Sequence, residues 1–109
     1  MSLYFPTAAE CSQHAIFPGV TVTTCAADKM MLSRARLEPH AVVAEHHHPH
    51  EQVGVILLGR AIFIIGGEEK LLQPGDLFRI PGNVPHKVIA LEEPMEALDI
   101  FYPIREDYR

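Results

Sequence analysis

Four of the chain's seven histidines fall within five residues, in the run Glu45-His46-His47-His48-Pro49-His50-Glu51-Gln52. A neutral imidazole carries a lone pair that suits Zn, Ni, Cu and Fe. In extended backbone, alternate side chains share a face. His46, His48, His50 and Gln52 therefore have one parity, and His47 and Glu51 the other. Two imidazoles at i and i+2 can meet one ion, at about 2.0–2.1 Å for zinc. A third and a fourth ligand must come from elsewhere. Glu51 is a rival ligand, but its parity turns it away from His48. His50 has the right parity and is expected at the rim. The run sits mid-chain, just ahead of the apolar residues 52–58. That separates it from a terminal affinity tag and from a solvated polar loop.

A second group of interest closes the chain. Residues 96–105 read EALDIFYPIR, which puts Asp99, Phe101 and Arg105 on one parity and Leu98 and Ile100 on the other. Leu98 and Ile100 are expected in a core between layers. Asp99 and Phe101 then face either solvent or a lumen. In a lumen, burial would raise the carboxyl pKa toward a useful acid–base range, and a nearby cation would oppose that rise.

The elements that must position these residues are short. Nine Pro and seven Gly punctuate 109 residues, with segments rich in Val, Ile, Leu and Phe between them. Strands are expected over residues 20–25, 29–37, 52–58, 61–65, 70–72, 77–80, 86–91 and 96–102, and a short turn near 7–13. Residues 52–58 look buried on both faces. Gly66-Gly67 is a hairpin signal, because both turn positions can take positive φ. Met30, Met31 and Met95 read as core filler. Arg34 and Arg36 share one side, and Phe78 and Ile80 are candidates to line the lumen. Many short strands with close turns indicate an all-β sandwich or barrel of antiparallel strands. Open sheet edges make a homodimer plausible. The length allows a single domain, residues 1–109. Fourteen acidic against nine basic residues give a net charge of −5, which removes any general attraction to nucleic acid or an anionic membrane. No run reaches the ~18 apolar residues of a membrane helix. The N-terminus lacks signal-peptide pattern, so a cytoplasmic protein is expected. Cys11 and Cys25 read as free thiols of a reducing cytosol.

The residues together resemble a known family. His46-x-His48, Gln52 and Gly59 look like the first motif of the cupin superfamily, with Gln in the usual Glu position. Pro74-Gly75-Asp76, Pro81-Gly82 and His86 look like the second. The Gly that usually stands six residues before the first His is His40 here, and the Asn four residues after the last His is Ala90. The resemblance implies a cupin-type double-stranded β-helix, or jelly-roll barrel. Residues 39–105 would form the barrel with its metal site, and 1–35 would be N-terminal strands that close it or form the dimer. Carried over by position, the metal ligands are His46, His48, Gln52 and His86. They would hold one divalent transition metal: Zn, Ni, Mn, Fe or Cu. A neutral amide in place of a carboxylate leaves the site one unit more positive, which strengthens its Lewis acidity toward an anion.

The ending Asp99-x-Phe101-x-Pro103-x-Arg105-x-Asp107-Tyr108 resembles that of small pectin-degradation cupins that linearise unsaturated uronates. The resemblance implies Asp99 as the catalytic proton carrier, Phe101 as pocket wall and Arg105 as a bidentate clamp on the sugar carboxylate. The expected function is metal-dependent ring opening and ketonisation of a 4,5-unsaturated uronate, a small anionic sugar. The alternatives are a non-catalytic sugar- or metal-binding module and an Fe-dependent dioxygenase.

Overall fold

The computed structural model describes residues 2–109. In chain order its strands are β1 (Ser12–Phe17), β2 (Val20–Ala26), β3 (Met31–Leu37), β4 (Val42–His46), β5 (Glu51–Leu58), β6 (Ala61–Ile65), β7 (Glu68–Leu72), β8 (Leu77–Ile80), β9 (His86–Ala90) and β10 (Met95–Tyr102). Short 3-10 helices span Ala8–Glu10 and Glu106–Tyr108. The strands form two antiparallel sheets, ordered β1-β2-β3-β10-β5-β8 and β4-β9-β6-β7. This is the jelly-roll architecture, two sheets enclosing one core.

Period-two alternation decides which side chains enter that core. Along β3, Met31, Ser33, Ala35 and Leu37 are buried, and the residues between them are exposed. Along β10, Met95, Ala97, Asp99 and Phe101 are buried. Phe63 and Val88 from the smaller sheet, with Ile56, Phe78 and Ile80 from the larger, fill the space between. The Gly66-Gly67 hairpin has φ of 57° and 82°, as expected of a turn that needs two positive values. His40 also has positive φ, 63°. That explains why glycine suits this position in the resembled motif: the backbone is left-handed there, and His40 adopts it without glycine's freedom.

Several expectations need correction. The strand ranges read from the sequence include neither β1 nor β4. β1 carries no sustained apolar alternation, and β4 has only Val42 and Val43 ahead of Ala44, Glu45 and His46. β3 begins at Met31 rather than residue 29, because Ala27 donates its N–H to the carbonyl of Met30 and closes a turn there. Met30 is consequently exposed, while Met31 and Met95 are core. β5 is not buried on both faces: Val53, Leu57 and Leu58 are exposed. Leu98 and Ile100 are not the core side of β10. They lie half-buried on the outer face of the six-stranded sheet, and Asp99 and Phe101 point in. The reason is register. Phe101 must pair across from Met31 and Gln52, both inward residues, so the inward row of β10 is the odd one. Arg34 and Arg36 do share one exposed side, both bonded to Glu96.

Candidate metal centre

Three imidazoles converge at one end of the lumen. His46 ends β4 and His86 opens β9, and the two are directly paired in the ladder between those strands. His48 lies on the loop leading into β5. One ligand atom from each of His46, His48 and His86 lies within 4.8 Å of the others. Their rings form a tight group, with centroids 4.3 Å apart for His46–His86 and 4.9 Å for His48–His86. Two loops are locked together beneath them. Asn83 donates its N–H to the His48 carbonyl (2.7 Å), and Gly82 packs so close to Pro49 that a Cβ would sit 2.5 Å from its carbonyl oxygen.

The hydrogen bonds fix which nitrogen of each ring is free. Nδ1 of His46 lies 3.0 Å from the Ala44 carbonyl oxygen, Nδ1 of His48 lies 3.0 Å from that of His50, and Nδ1 of His86 lies 2.8 Å from that of Val84. A carbonyl only accepts, so in each ring Nδ1 donates. In the neutral rings the lone pair is therefore left on Nε2, and such outer bonds also hold a ligating ring in orientation. Burial, with Arg105 and then His86 nearby, pushes His48 down to about 4. Burial also lowers His86. Both are neutral at pH 7, with no proton to displace.

Gln52 completes the group. It is an inward residue of β5, and its Oε1 lies 3.1 Å from His48 Nε2. Neither atom carries a proton when His48 is neutral, so two lone pairs face each other. Nε2 of His86 is likewise buried without a partner. A cation would satisfy all of these atoms at once. The donor set, three imidazole nitrogens and one amide oxygen, therefore fits a divalent transition metal. Which end of the Gln52 amide faces His48 follows from this need for an oxygen donor.

Asp99 sits next along the inner face, 7% exposed. Burial lifts its carboxyl to about 7, against the opposing pull of the Gln52 hydrogen bond and the Arg105 charge. Oδ1 is buried with no partner. Room for it comes from Gly54, which faces Asp99 across the β5–β10 ladder. A Cβ on Gly54 would lie 2.7 Å from Asp99 Oδ1 and 2.3 Å from Phe78 Cζ. Phe101 meets His48 edge-on at 5.6 Å.

Arg105 is also buried, with its guanidinium stacked 3.8 Å above the Tyr108 ring and 5.1 Å from Phe101. Asp107 takes two of its N–H groups, from Nη2 at 2.9 Å and from Nε at 3.4 Å. The side-on edge of the fork is thus engaged within the chain. The end-on edge, with N–H groups on Nη1 and Nη2, is left for a ligand.

These residues share one lumen of about 60 Å³, lined among others by His46, Gln52, His86, Asp99, Phe101 and Arg105. That holds a few waters. A wider mouth of about 370 Å³ adjoins it, and His46, Arg105 and Tyr108 border both. His47 is exposed and points away, and His50 sits half-buried at the rim outside the three-imidazole cluster.

Sequence reasoning missed the residues that hold the mouth together. His14 Nε2 lies 2.9 Å from the Tyr108 carbonyl oxygen, and its ring stacks on that of Tyr108 at 5.9 Å. The buried Thr24 hydroxyl donates to the same carbonyl. Tyr108 falls within the ending quoted above, so a signal existed at one end of the contact. His14, 94 residues earlier, gives none by itself.

The chain matches the Cupin domain family over residues 33–101. It is a cupin. This cupin is 30% identical over 82 residues to the pectin degradation protein KdgF of Dickeya dadantii (strain 3937), covering 74% of each chain. Its fold superposes on the structure of KdgF from Halomonas sp. with a TM-score of 0.83 and 30% identity, covering 94% of this chain and 96% of that one. A shorter stretch of 47 residues is 40% identical to acireductone dioxygenase of Bacillus subtilis (strain 168), spanning 38% of this chain and 26% of that protein.

Proposed function

We propose that this cupin linearises a 4,5-unsaturated uronate with one divalent transition metal held by His46, His48, Gln52 and His86. The observation that carries the reading is a single cavity lined by the buried Asp99 carboxyl, the His46 and His86 imidazoles, the Gln52 amide and the Arg105 guanidinium. Similarity to the KdgF proteins, one of them named for pectin degradation, supports the substrate class. When bound, the metal supplies Lewis acidity toward the sugar oxygens.

The remaining work belongs to the chain. The reaction is an isomerisation: a proton leaves the anomeric hydroxyl, the ring C–O bond breaks, and a proton is delivered to the alkene carbon to give the ketone. Asp99, poised near neutrality, is the group that takes or returns that proton. Arg105 grips the carboxylate from the mouth, through the end of its fork that Asp107 leaves free. Phe101 and Tyr108 exclude water beside it. The whole protein carries net charge −5, so attraction for the anion must be local.

Asp99→Asn tests this reading. Loss of the conjugated double bond, followed by absorbance, should slow by about 10²–10⁴-fold, with metal content per chain unchanged. Turnover at the parent rate would remove Asp99 from the mechanism. A saturable uronate complex with no product in the parent protein would instead make this a binding module. Oxygen consumption with an aromatic or thiol substrate would favour a dioxygenase, the reading that the short acireductone dioxygenase match keeps open.

A further inference from the structure

Two thiols stand away from the metal centre, Cys11 and Cys25. The β1–β2 ladder pairs Ser12 with Thr24, Gln13 with Thr23 and His14 with Val22. One more step in that register sets Cys11 opposite Cys25. The backbone at Cys11 remains extended, φ −96° and ψ 156°, so the step is a continuation of the strand geometry. Cys11 gives its N–H to the carbonyl of Ala8 rather than to β2. The pair is therefore of the kind that exchanges no ladder hydrogen bond. Opposed residues of that kind have Cα atoms about 4.5 Å apart and side chains on one face. A disulfide needs Cα atoms about 4.4–6.8 Å apart. The Cys11 thiol, which donates to the Thr7 carbonyl at 3.5 Å, is also the main cause that raises the Cys25 thiol above its usual range, in keeping with that spacing.

Both cysteines are half-buried, and Cys25 opens into a surface cavity of about 470 Å³ walled by Leu3, Tyr4, Pro6 and Met30. A small reagent can reach it there. We propose that Cys11 and Cys25 form a reversible dithiol site, closed to a cross-strand disulfide by exchange with a low-molecular-weight disulfide. One cysteine thiolate attacks the small disulfide and releases one small thiol. The other cysteine then attacks the mixed disulfide and releases the second. The protein gives up two electrons and two protons, and the small disulfide becomes two thiols. The free thiols expected from the sequence are the reduced form of this site.

The bridge would tie the head of β1 to β2. β1 carries His14 and Phe17, which contact Tyr108 and the His46 ring at the mouth of the barrel. The site therefore braces the wall of the metal cavity from outside. It depends on neither the metal nor the uronate.

The test uses the full chain with oxidised glutathione at about pH 8. Both thiols should disappear, with the intact mass falling by about 2 Da, a single Cys11–Cys25 peptide, and full reversal by dithiothreitol. The melting temperature of the bridged form should rise on the order of 5–15 °C. Cys11→Ser and Cys25→Ser should each retain a stable glutathione adduct, since no second thiol resolves it. Stable adducts on the parent protein, disulfide-linked pairs of chains, or no reaction would each overturn the proposal.

Discussion

The two faces of the six-stranded sheet each depart from the usual pattern over part of their area. The inner face, which should be the most apolar surface, carries Ser33, Gln52 and Asp99, all buried. The outer face, which should be polar, carries Val53, Val55, Leu77, Leu98 and Ile100 around an open groove, with Leu77 76% exposed. Burial of an unpaired polar group costs about 1–3 kcal/mol. Ser33 Oγ and Asp99 Oδ1 are both buried without a partner. Such cost is tolerated where it supplies chemistry, and it is confined here to the end of the sheet next to the histidines. The other end of the inner face, with Leu37, Ile56 and Met95, is ordinary core.

The comparison is broken most severely at the histidines. His86→Ala removes a buried nitrogen whose lone pair has no partner in the protein. Metal affinity should fall by at least about 100-fold, because even supporting residues around a metal are worth about 10–100-fold. Leu98→Thr, on the outer face of β10, should leave metal content unchanged. Elemental analysis of untagged protein, before and after a chelator wash, checks both. Equal metal loss in the two variants would mean that the inner face holds no dedicated centre.

Gly54 offers the next largest effect. It is the position at which the inner face leaves space for a carboxyl. Alanine there would meet the Leu98 carbonyl at 2.8 Å as well as Phe78 and Asp99, and a backbone atom cannot step aside. Gly54→Ala should cost about 1–3 kcal/mol in stability and slow turnover by displacing Asp99. Val55→Ala, next along the strand and on the outer face, should cost under about 1 kcal/mol and leave turnover intact. Denaturant melts and the absorbance assay separate the two variants.

The sequence disclosed which residues gather at the candidate centre far better than it disclosed which way the sheet faces. His46-x-His48, Gln52 and His86 were legible because a metal-binding pattern restricts residue type and spacing together. The Gly66-Gly67 turn was legible because few residues tolerate its backbone. The facing of β10 was not. Its alternation is clear, but alternation identifies two faces without saying which is inside, and apolar Leu98 and Ile100 argued for the wrong one. The inward row is fixed by pairing with β3 and β5, which is non-local. β4 was hidden because only Val42 and Val43 are apolar and branched, and the strand ends in Glu45 and His46 without an apolar stripe. The contact of His14 with the Tyr108 backbone was hidden by distance along the chain.

The smallest effect sharpens the comparison through pH, in protein stripped of metal. Burial raises Asp99 from its usual 3.8 to about 7. Its contribution to stability is therefore complete below about pH 4 and is lost as pH rises through 7. Burial lowers His48 from 6.5 to about 4, so its contribution runs the other way: present above pH 6.5 and lost as pH falls through 4. The two slopes oppose each other between about pH 4 and 6.5, which masks Asp99 in the parent protein. Asp99→Asn unmasks it. The stability of the variant minus that of the parent should grow from about pH 4 to about pH 7 and then level off. The total change should be on the order of 1–2 kcal/mol, less than the full shift implies because water relaxes around a buried charge. A difference that stays flat across this range would mean that the carboxyl of Asp99 keeps an ordinary pKa, and that the inner face of the sheet is wetter than its burial indicates.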